Sequence, residues 1–169
     1  MIYNNWWNTL SMNADMVERL AALRNVVVLK WSAPSSAEYT EGLYRFADRL
    51  AIIDNMGQQV WPHMMGATGI ITHLSNFWTE YPLSVWNLLE QQAYQDVIQK
   101  LAAFYWRWQK WVAKVVRETE GEGPFSKAAM QEVGLSAGPP HPPAHPVGPA
   151  LREELHQLFI EAEVPRFDD

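Results

Sequence analysis

Asn25-Val26-Val27-Val28-Leu29-Lys30 is the stretch that decides the fold. The apolar residues between Asn25 and Lys30, mostly β-branched, predict a short β-strand. An apolar run without alternation is typical of a strand that is covered on both faces, as in a parallel sheet. The run ends at Lys30, so the sequence predicts a buried parallel strand that ends in a lysine.

Strand and helix patterns alternate around this stretch. Short apolar runs predict further strands at 2–3, 50–53 and 69–72. Helical spacing of apolar residues predicts helices over 14–23, 36–50 and 58–65, with Asn13 and either Ser35 or Ser36 as N-caps. Alternating strands and helices predict βαβ units around a parallel sheet, which is an α/β fold.

Helical patterns continue alone after residue 75. Helices are predicted over 78–89, 124–133 and 149–162, with a proline-rich extended segment over 138–149. A long amphipathic helix is predicted over 94–116, because one apolar stripe recurs at spacings of three and four. The stripe consists of Tyr94, Val97, Leu101, Phe104, Trp108, Trp111 and Val115.

Composition argues against several classes of partner. The 169 residues carry a net charge of −6 without a basic stripe, so no nucleic-acid surface is expected. No run approaches the ~18 apolar residues of a membrane span. The chain has no cysteine, and its first residues lack the pattern of a signal peptide. We therefore expect a cytoplasmic protein without a metal or cofactor.

Lys30 is the most informative candidate for chemistry. In α/β barrels, residues at the C-terminal ends of strands face the active site. Partial desolvation there disfavours the ammonium form, and a neutral amine can form an imine with a carbonyl substrate. Tyr3 ends the preceding predicted strand and could transfer protons to the same substrate. The alternatives are a lysine that extends to solvent and an aromatic residue at the rim of the sheet.

These residues resemble a known family. Ile2-Tyr3-Asn4-Asn5, followed by a helix and by the Lys30 strand, is similar to the dihydrodipicolinate synthase and N-acetylneuraminate lyase family, in which a Tyr-Asn strand end precedes a Schiff-base lysine. A second resemblance lies in the stretch Met65-Gly66-Ala67-Thr68-Gly69-Ile70-Ile71-Thr72. It is similar to the eighth strand of the family.

The resemblance implies a fold and a reaction. The fold would be the C-terminal half of a (β/α)8 TIM barrel, with strands five to eight over residues 1–75, and a barrel-closing helix and C-terminal helical region over 76–169. Lys30 would form an imine with pyruvate or a related 2-oxo acid, and Tyr3 would transfer protons. The Ile71 carbonyl would orient the reacting group, and Asn8 and Thr9 would contact the second substrate.

Departures from the family pattern limit what the resemblance implies. In the synthases, an arginine that binds the carboxylate of the second substrate stands where Asn8 is, so the resemblance does not extend to the second substrate of dihydrodipicolinate synthesis. Trp31 and Ala33 replace polar residues that usually follow the lysine, and Asp54 replaces a glycine that usually ends the seventh strand. Together these departures suggest a second substrate that is bulkier, more aromatic or of different charge. The first four strands of the family, with a threonine pair that binds the pyruvate carboxylate, have no counterpart in these residues.

We therefore expect a fragment, a truncated reading frame or half of a split enzyme. Its partners would be the missing N-terminal half-barrel or homo-oligomer subunits. The alternative is a non-catalytic half-barrel that serves as an assembly or interaction module.

Overall fold

The chain contains a four-stranded parallel sheet followed by helices. The structure, a computed structural model, describes residues 1–7 and 10–167. The strands are β1 (Ile2–Tyr3), β2 (Val28–Trp31), β3 (Ala51–Asp54) and β4 (Gly69–Ile70). They lie in the order β1-β2-β3-β4, and all pairs are parallel. The intervening helices are α1 (Ala14–Ala21), α2 (Ser36–Phe46) and α3 (Val60–Met64). The predicted α/β fold is confirmed.

Side-chain caps fix where the first two helices begin. The Asn13 side chain accepts a hydrogen bond from the Met16 N–H at 2.9 Å. The Ser35 hydroxyl accepts from the Glu38 N–H at 3.2 Å and donates to the Glu38 carboxylate at 3.0 Å. Because these bonds satisfy amides that have no partner within a helix, both residues are N-caps, as the sequence predicts.

The two faces of the sheet differ in burial. Leu29, Trp31 and Ile52 are at most 1% exposed and lie in one core with residues of α1 and α2. Val28 and Ile53 point to the opposite face and are only half-buried. The expectation that β2 is covered on both faces is therefore wrong for this structure, because burial alternates along the strand.

Strand ends differ from prediction by one or two residues. β2 continues to Trp31, so Lys30 is its penultimate residue. β4 ends at Ile70, one residue before Ile71. The ladder nevertheless extends past both edge strands, because the Asn4 N–H donates to the Lys30 carbonyl at 3.1 Å and the Ile71 N–H donates to the Asp54 carbonyl at 3.1 Å.

The second compact unit begins at His73 and is helical, while the first ends at Thr72. Its helices are α4 (Glu80–Glu90), α5 (Tyr94–Lys100), α6 (Trp106–Thr119), α7 (Gly123–Glu132) and α8 (Pro149–Glu161). A 3-10 turn, His73–Asn76, precedes them. Gly134 has a φ of 92° and follows α7, where its left-handed backbone ends the helix as predicted.

The predicted long helix is interrupted once. A π-helical turn, Leu101–Tyr105, joins α5 to α6. The wider turn brings the consecutive residues Phe104 and Tyr105 to the buried side, where they are 2% and 6% exposed. The predicted stripe is otherwise confirmed, since Val97, Trp108 and Trp111 are at most 2% exposed.

The sheet packs against α2 so closely at Gly42 that no side chain fits there. A Cβ atom at this position would lie 2.4 Å from the Trp31 indole, which is itself fixed by a 3.0 Å hydrogen bond to the Tyr39 carbonyl. We expect Gly42→Ala to lower the free energy of unfolding by about 1–3 kcal/mol through overpacking, measured by urea denaturation. Gly123→Ala is the control, because no atom lies within 4 Å of its Cβ. Equal stability of the two variants would contradict the tight indole contact.

Candidate active site

Lys30 and Tyr3 meet on the half-buried face of the sheet. They are direct Cα partners in the β1–β2 register, so their side chains project from the same side. The Lys30 Nζ atom lies 3.8 Å from the centroid of the Tyr3 ring. Tyr3 is 37% exposed, which leaves the pair open to a small molecule. The structure thus brings together the two residues that the sequence singled out.

Asn55 is a third polar residue at this place. It follows β3 directly, and its Nδ2 amide donates a hydrogen bond to the Tyr3 hydroxyl oxygen at 3.3 Å. Because the amide occupies the oxygen of Tyr3, the hydroxyl hydrogen is directed away from Asn55. The sequence interpretation missed this residue, although its position just after a strand of the same sheet was a usable signal.

The row of register partners that begins with Tyr3 and Lys30 continues across β3 and β4. Ile53 is the register partner of Lys30, and Gly69 is the partner of Ile53. A Cβ atom at Gly69 would lie 2.8 Å from the Ile53 side chain. Gly69 therefore makes room for Ile53, and the row changes from the polar pair on β1 and β2 to an apolar surface on β3.

Asn4 holds the two strand ends together. It is fully buried, and its Nδ2 amide donates to the carbonyls of Ser32 at 2.7 Å and Met12 at 3.2 Å. Its Oδ1 accepts from the Met12 N–H at 2.8 Å, and the Ser32 hydroxyl donates to the Asn4 carbonyl. This network joins the residues that follow Tyr3 and Lys30, so it positions both strand ends.

Asp54 lies on the opposite face from Lys30. Its carboxylate is buried and accepts hydrogen bonds from the Tyr39 hydroxyl at 2.6 Å, the Met56 N–H at 2.8 Å and the Gln59 N–H at 2.9 Å. The carboxylate therefore stabilises the loop between β3 and α3. Asp54 therefore adds no charge to the face that carries Lys30.

The remaining predicted site residues are less defined. Ile71 follows β4 directly and is 48% exposed. Asn8 and Thr9 lie outside the described residues. Within 1–7 and 10–167, the structure contains no cluster of three or more metal-ligating side chains. Over the same residues, no helix is both long and apolar enough to cross a membrane.

The arrangement of parallel βα units, with a lysine near the end of one strand and a tyrosine beside it, defines an α/β half-barrel with a candidate amine nucleophile. No protein-family model matches the chain. A protein of Rhizobium meliloti, described as an uncharacterized DapA-like lyase, is 31% identical over 171 residues, which cover 94% of this chain and 53% of that protein.

Solved structures show the same fold. Dihydrodipicolinate synthase from Aquifex aeolicus matches with a TM-score of 0.79 at 18% identity, over 99% of this chain and 56% of the synthase. N-acetylneuraminate lyase from Proteus mirabilis matches with a TM-score of 0.67 at 18% identity, over 96% of this chain and 54% of the lyase.

The chain is similar in sequence to a DapA-like lyase and in fold to a dihydrodipicolinate synthase and an N-acetylneuraminate lyase, so the resemblance seen in the sequence is confirmed. Its fold is half of a TIM barrel followed by helices. It spans about half the length of the relatives that it matches.

The Tyr39–Asp54 contact predicts a pH dependence of stability. Burial and, next, the charge of Asp54 raise the pKa of Tyr39 far above its ordinary value. Above pH ~10 an unfolded tyrosine ionises while Tyr39 keeps its proton. The folded state then binds more protons, so the stabilisation is complete below pH ~10 and is lost as the pH rises further.

We therefore expect the free energy of unfolding to fall more steeply above pH ~10 in the unmodified chain than in Tyr39→Phe, by up to about 1.4 kcal/mol per pH unit. At pH 8, Tyr39→Phe should be less stable by about 1.5–3 kcal/mol because it lacks the bond to the carboxylate. Urea denaturation at pH 8, 10 and 11 measures both effects. Parallel pH dependences would contradict the expectation.

Proposed function

We propose that the chain is the lysine-bearing half of a Schiff-base-forming lyase or aldolase that acts on pyruvate or a related 2-oxo acid. Lys30 is the imine-forming residue, and Tyr3 transfers protons. The observation that supports this most directly is the contact between the Lys30 Nζ atom and the Tyr3 ring at 3.8 Å on the open face of the sheet.

The chemistry follows from these two groups. The neutral Lys30 amine attacks the carbonyl carbon of the 2-oxo acid, so that a C–N bond forms as the C=O π bond breaks. The nitrogen then loses one proton and the oxygen gains one, which gives a carbinolamine. That oxygen then leaves as water after a second protonation, which gives an iminium. Tyr3 delivers and recovers these protons. The iminium withdraws electrons from the adjacent carbon, which permits a C–C bond to form or break.

Other residues of this half have supporting roles in the proposal. Asn55 directs the Tyr3 hydroxyl hydrogen through its 3.3 Å bond to the hydroxyl oxygen. The backbone carbonyl of Ile71 orients the reacting group, and Asn8 and Thr9 contact the second substrate. Asn4 keeps Tyr3 and Lys30 in register through its buried hydrogen bonds.

Activity in this proposal requires a complementary half-barrel. A closed barrel of this type has eight strands, whereas β1 and β4 are the two edges of a four-stranded sheet. The complement would be another polypeptide or a further part of the same one, and it would supply the groups that bind the substrate carboxylate. It would also cover the half-buried face around Val28 and Ile53.

Trapping of the imine tests the assignment of Lys30. The chain is joined to the part of the Rhizobium meliloti protein that it does not match, and is treated with pyruvate and borohydride. We expect one stable pyruvate adduct on the peptide that contains Lys30, detected by mass spectrometry. Lys30→Ala should abolish the adduct and turnover, whereas Lys110→Ala, which removes an exposed lysine of α6, should retain both.

An adduct that persists in Lys30→Ala, or that appears on Lys127, would refute the assignment. A soluble, joined protein that forms no adduct with 2-oxo acids would favour the alternative function, a non-catalytic assembly module. The half-buried sheet face and its two open edges are the observations that favour that alternative.

Tyr3→Phe tests the proton-transfer role in the same joined protein. A positioned general acid–base group contributes roughly 10²- to 10⁴-fold to turnover, so a loss of that size is expected. The ring that contacts Lys30 is retained in this variant, and the fold should be unchanged by circular dichroism. A loss of less than about threefold, well below that range, would show that Tyr3 is a rim residue only.

A further inference from the structure

The helical unit contains a groove that the proposed reaction does not use. It lies between α7, the proline-rich segment that follows α7, and the first turn of α8. Its volume is about 370 Å³, which falls within the range of roughly 300–1,000 Å³ for small-molecule sites. The residues that define it are Pro124, Lys127, Gln131, Pro139, Pro146 and Arg152.

Two cations are held in fixed positions in this groove. The Lys127 ammonium donates to the Ala137 carbonyl at 2.5 Å. The Arg152 guanidinium donates to the Val147 carbonyl at 3.1 Å and to the Gln131 side-chain oxygen at 3.1 Å. Gln131 is itself held, because its amide donates to the Gly138 carbonyl at 3.3 Å. Each cation is therefore positioned by a backbone carbonyl.

Neither of these cations is paired directly with a carboxylate in the part of the chain that the structure describes. Among the described residues, none that lines the groove is acidic, and neither Lys127 nor Arg152 forms a salt bridge. An ammonium has three N–H donors and a guanidinium has five, so donors of both remain for a ligand. This contrasts with Lys114 on α6, which pairs with Glu154 at 2.5 Å.

The walls of the groove are apolar and rigid. Pro124, Pro139 and Pro146 line the groove, and the ring of each proline fixes its φ angle. A ligand that complements both features has an anionic group for the cations and a hydrocarbon or aromatic body for the prolines. A planar carboxylate matches the fork of an arginine side chain. We propose that this groove binds a small organic carboxylate, with its charge at Lys127 and Arg152 and its apolar body against the prolines.

Calorimetry with benzoate on the full chain tests this site. We expect saturable 1:1 binding that is weakened about tenfold or more by Lys127→Gln and by Arg152→Gln, since each removes a charge-assisted hydrogen bond. Lys110→Gln removes the same charge from an exposed position of α6 and should leave the affinity unchanged. Lys30→Ala should also leave it unchanged, which separates this site from the proposed imine site.

Lys127 and Arg152 also bind backbone carbonyls, so their substitution can lower the affinity by disturbing the groove itself. A further variant separates this effect from the loss of charge. Pro139→Asp adds a negative charge to the wall and removes no hydrogen-bond donor, so it should weaken benzoate binding to a similar extent. Benzamide, the neutral analogue, and inorganic phosphate, which lacks an apolar body, should bind at least tenfold more weakly, by the same charge-assisted bond energy.

Three results would overturn the site. The first is no saturable binding of benzoate, with the cations serving only to hold the proline-rich segment. The second is binding of benzamide or phosphate as tight as that of benzoate, which would show that the groove does not require a carboxylate with an apolar body. The third is an equal loss of affinity in Lys110→Gln or in Lys30→Ala, which would place the binding elsewhere.

Discussion

The register between β1 and β2 is the constraint on which the candidate site depends. Tyr3 lies opposite Lys30 because Ile2 lies opposite Leu29, and the buried amide of Asn4 fixes the ends of both strands. β1 contributes two residues to the sheet, too few to hold a register by backbone bonds alone. The side-chain network of Asn4 therefore supplies part of the positioning that a longer strand would provide.

The order of elements was predictable because the relevant signals are local. Val26 to Leu29 required a strand, Asn13 and Ser35 marked helix starts, and the stripe from Val97 to Val115 marked a helix. Strand ends were less predictable, since they depend on hydrogen bonds between strands that are distant in sequence. The prediction that both faces of the sheet are covered was wrong. An apolar run such as Val27-Val28-Leu29 does not indicate which of its side chains pack against helices.

The candidate site was predictable only in part, for a similar reason. Lys30 and Tyr3 were identified from a motif and from their positions near strand ends, and the structure places them in contact. Asn55 was missed because it follows a different strand, more than fifty residues from Tyr3 in the sequence, and only the sheet brings the two side chains into contact. The buried position of Asp54 could not be predicted, because its place in the sequence fixes neither the face of the sheet nor the loop N–H groups that donate to its carboxylate.

Because burial alternates along β2, one short strand contributes both to the core and to the candidate site. Leu29 and Trp31 complete the core, while Lys30 between them faces the open side. A substitution at a core position therefore leaves the direction of the Lys30 side chain unchanged, and a substitution at Lys30 leaves the core residues in place. Insertion or deletion of a single residue is different, because it exchanges the two faces. Such a change would turn the Lys30 side chain toward the core and the Leu29 side chain toward Tyr3, so the length of this segment is a stricter constraint than its composition.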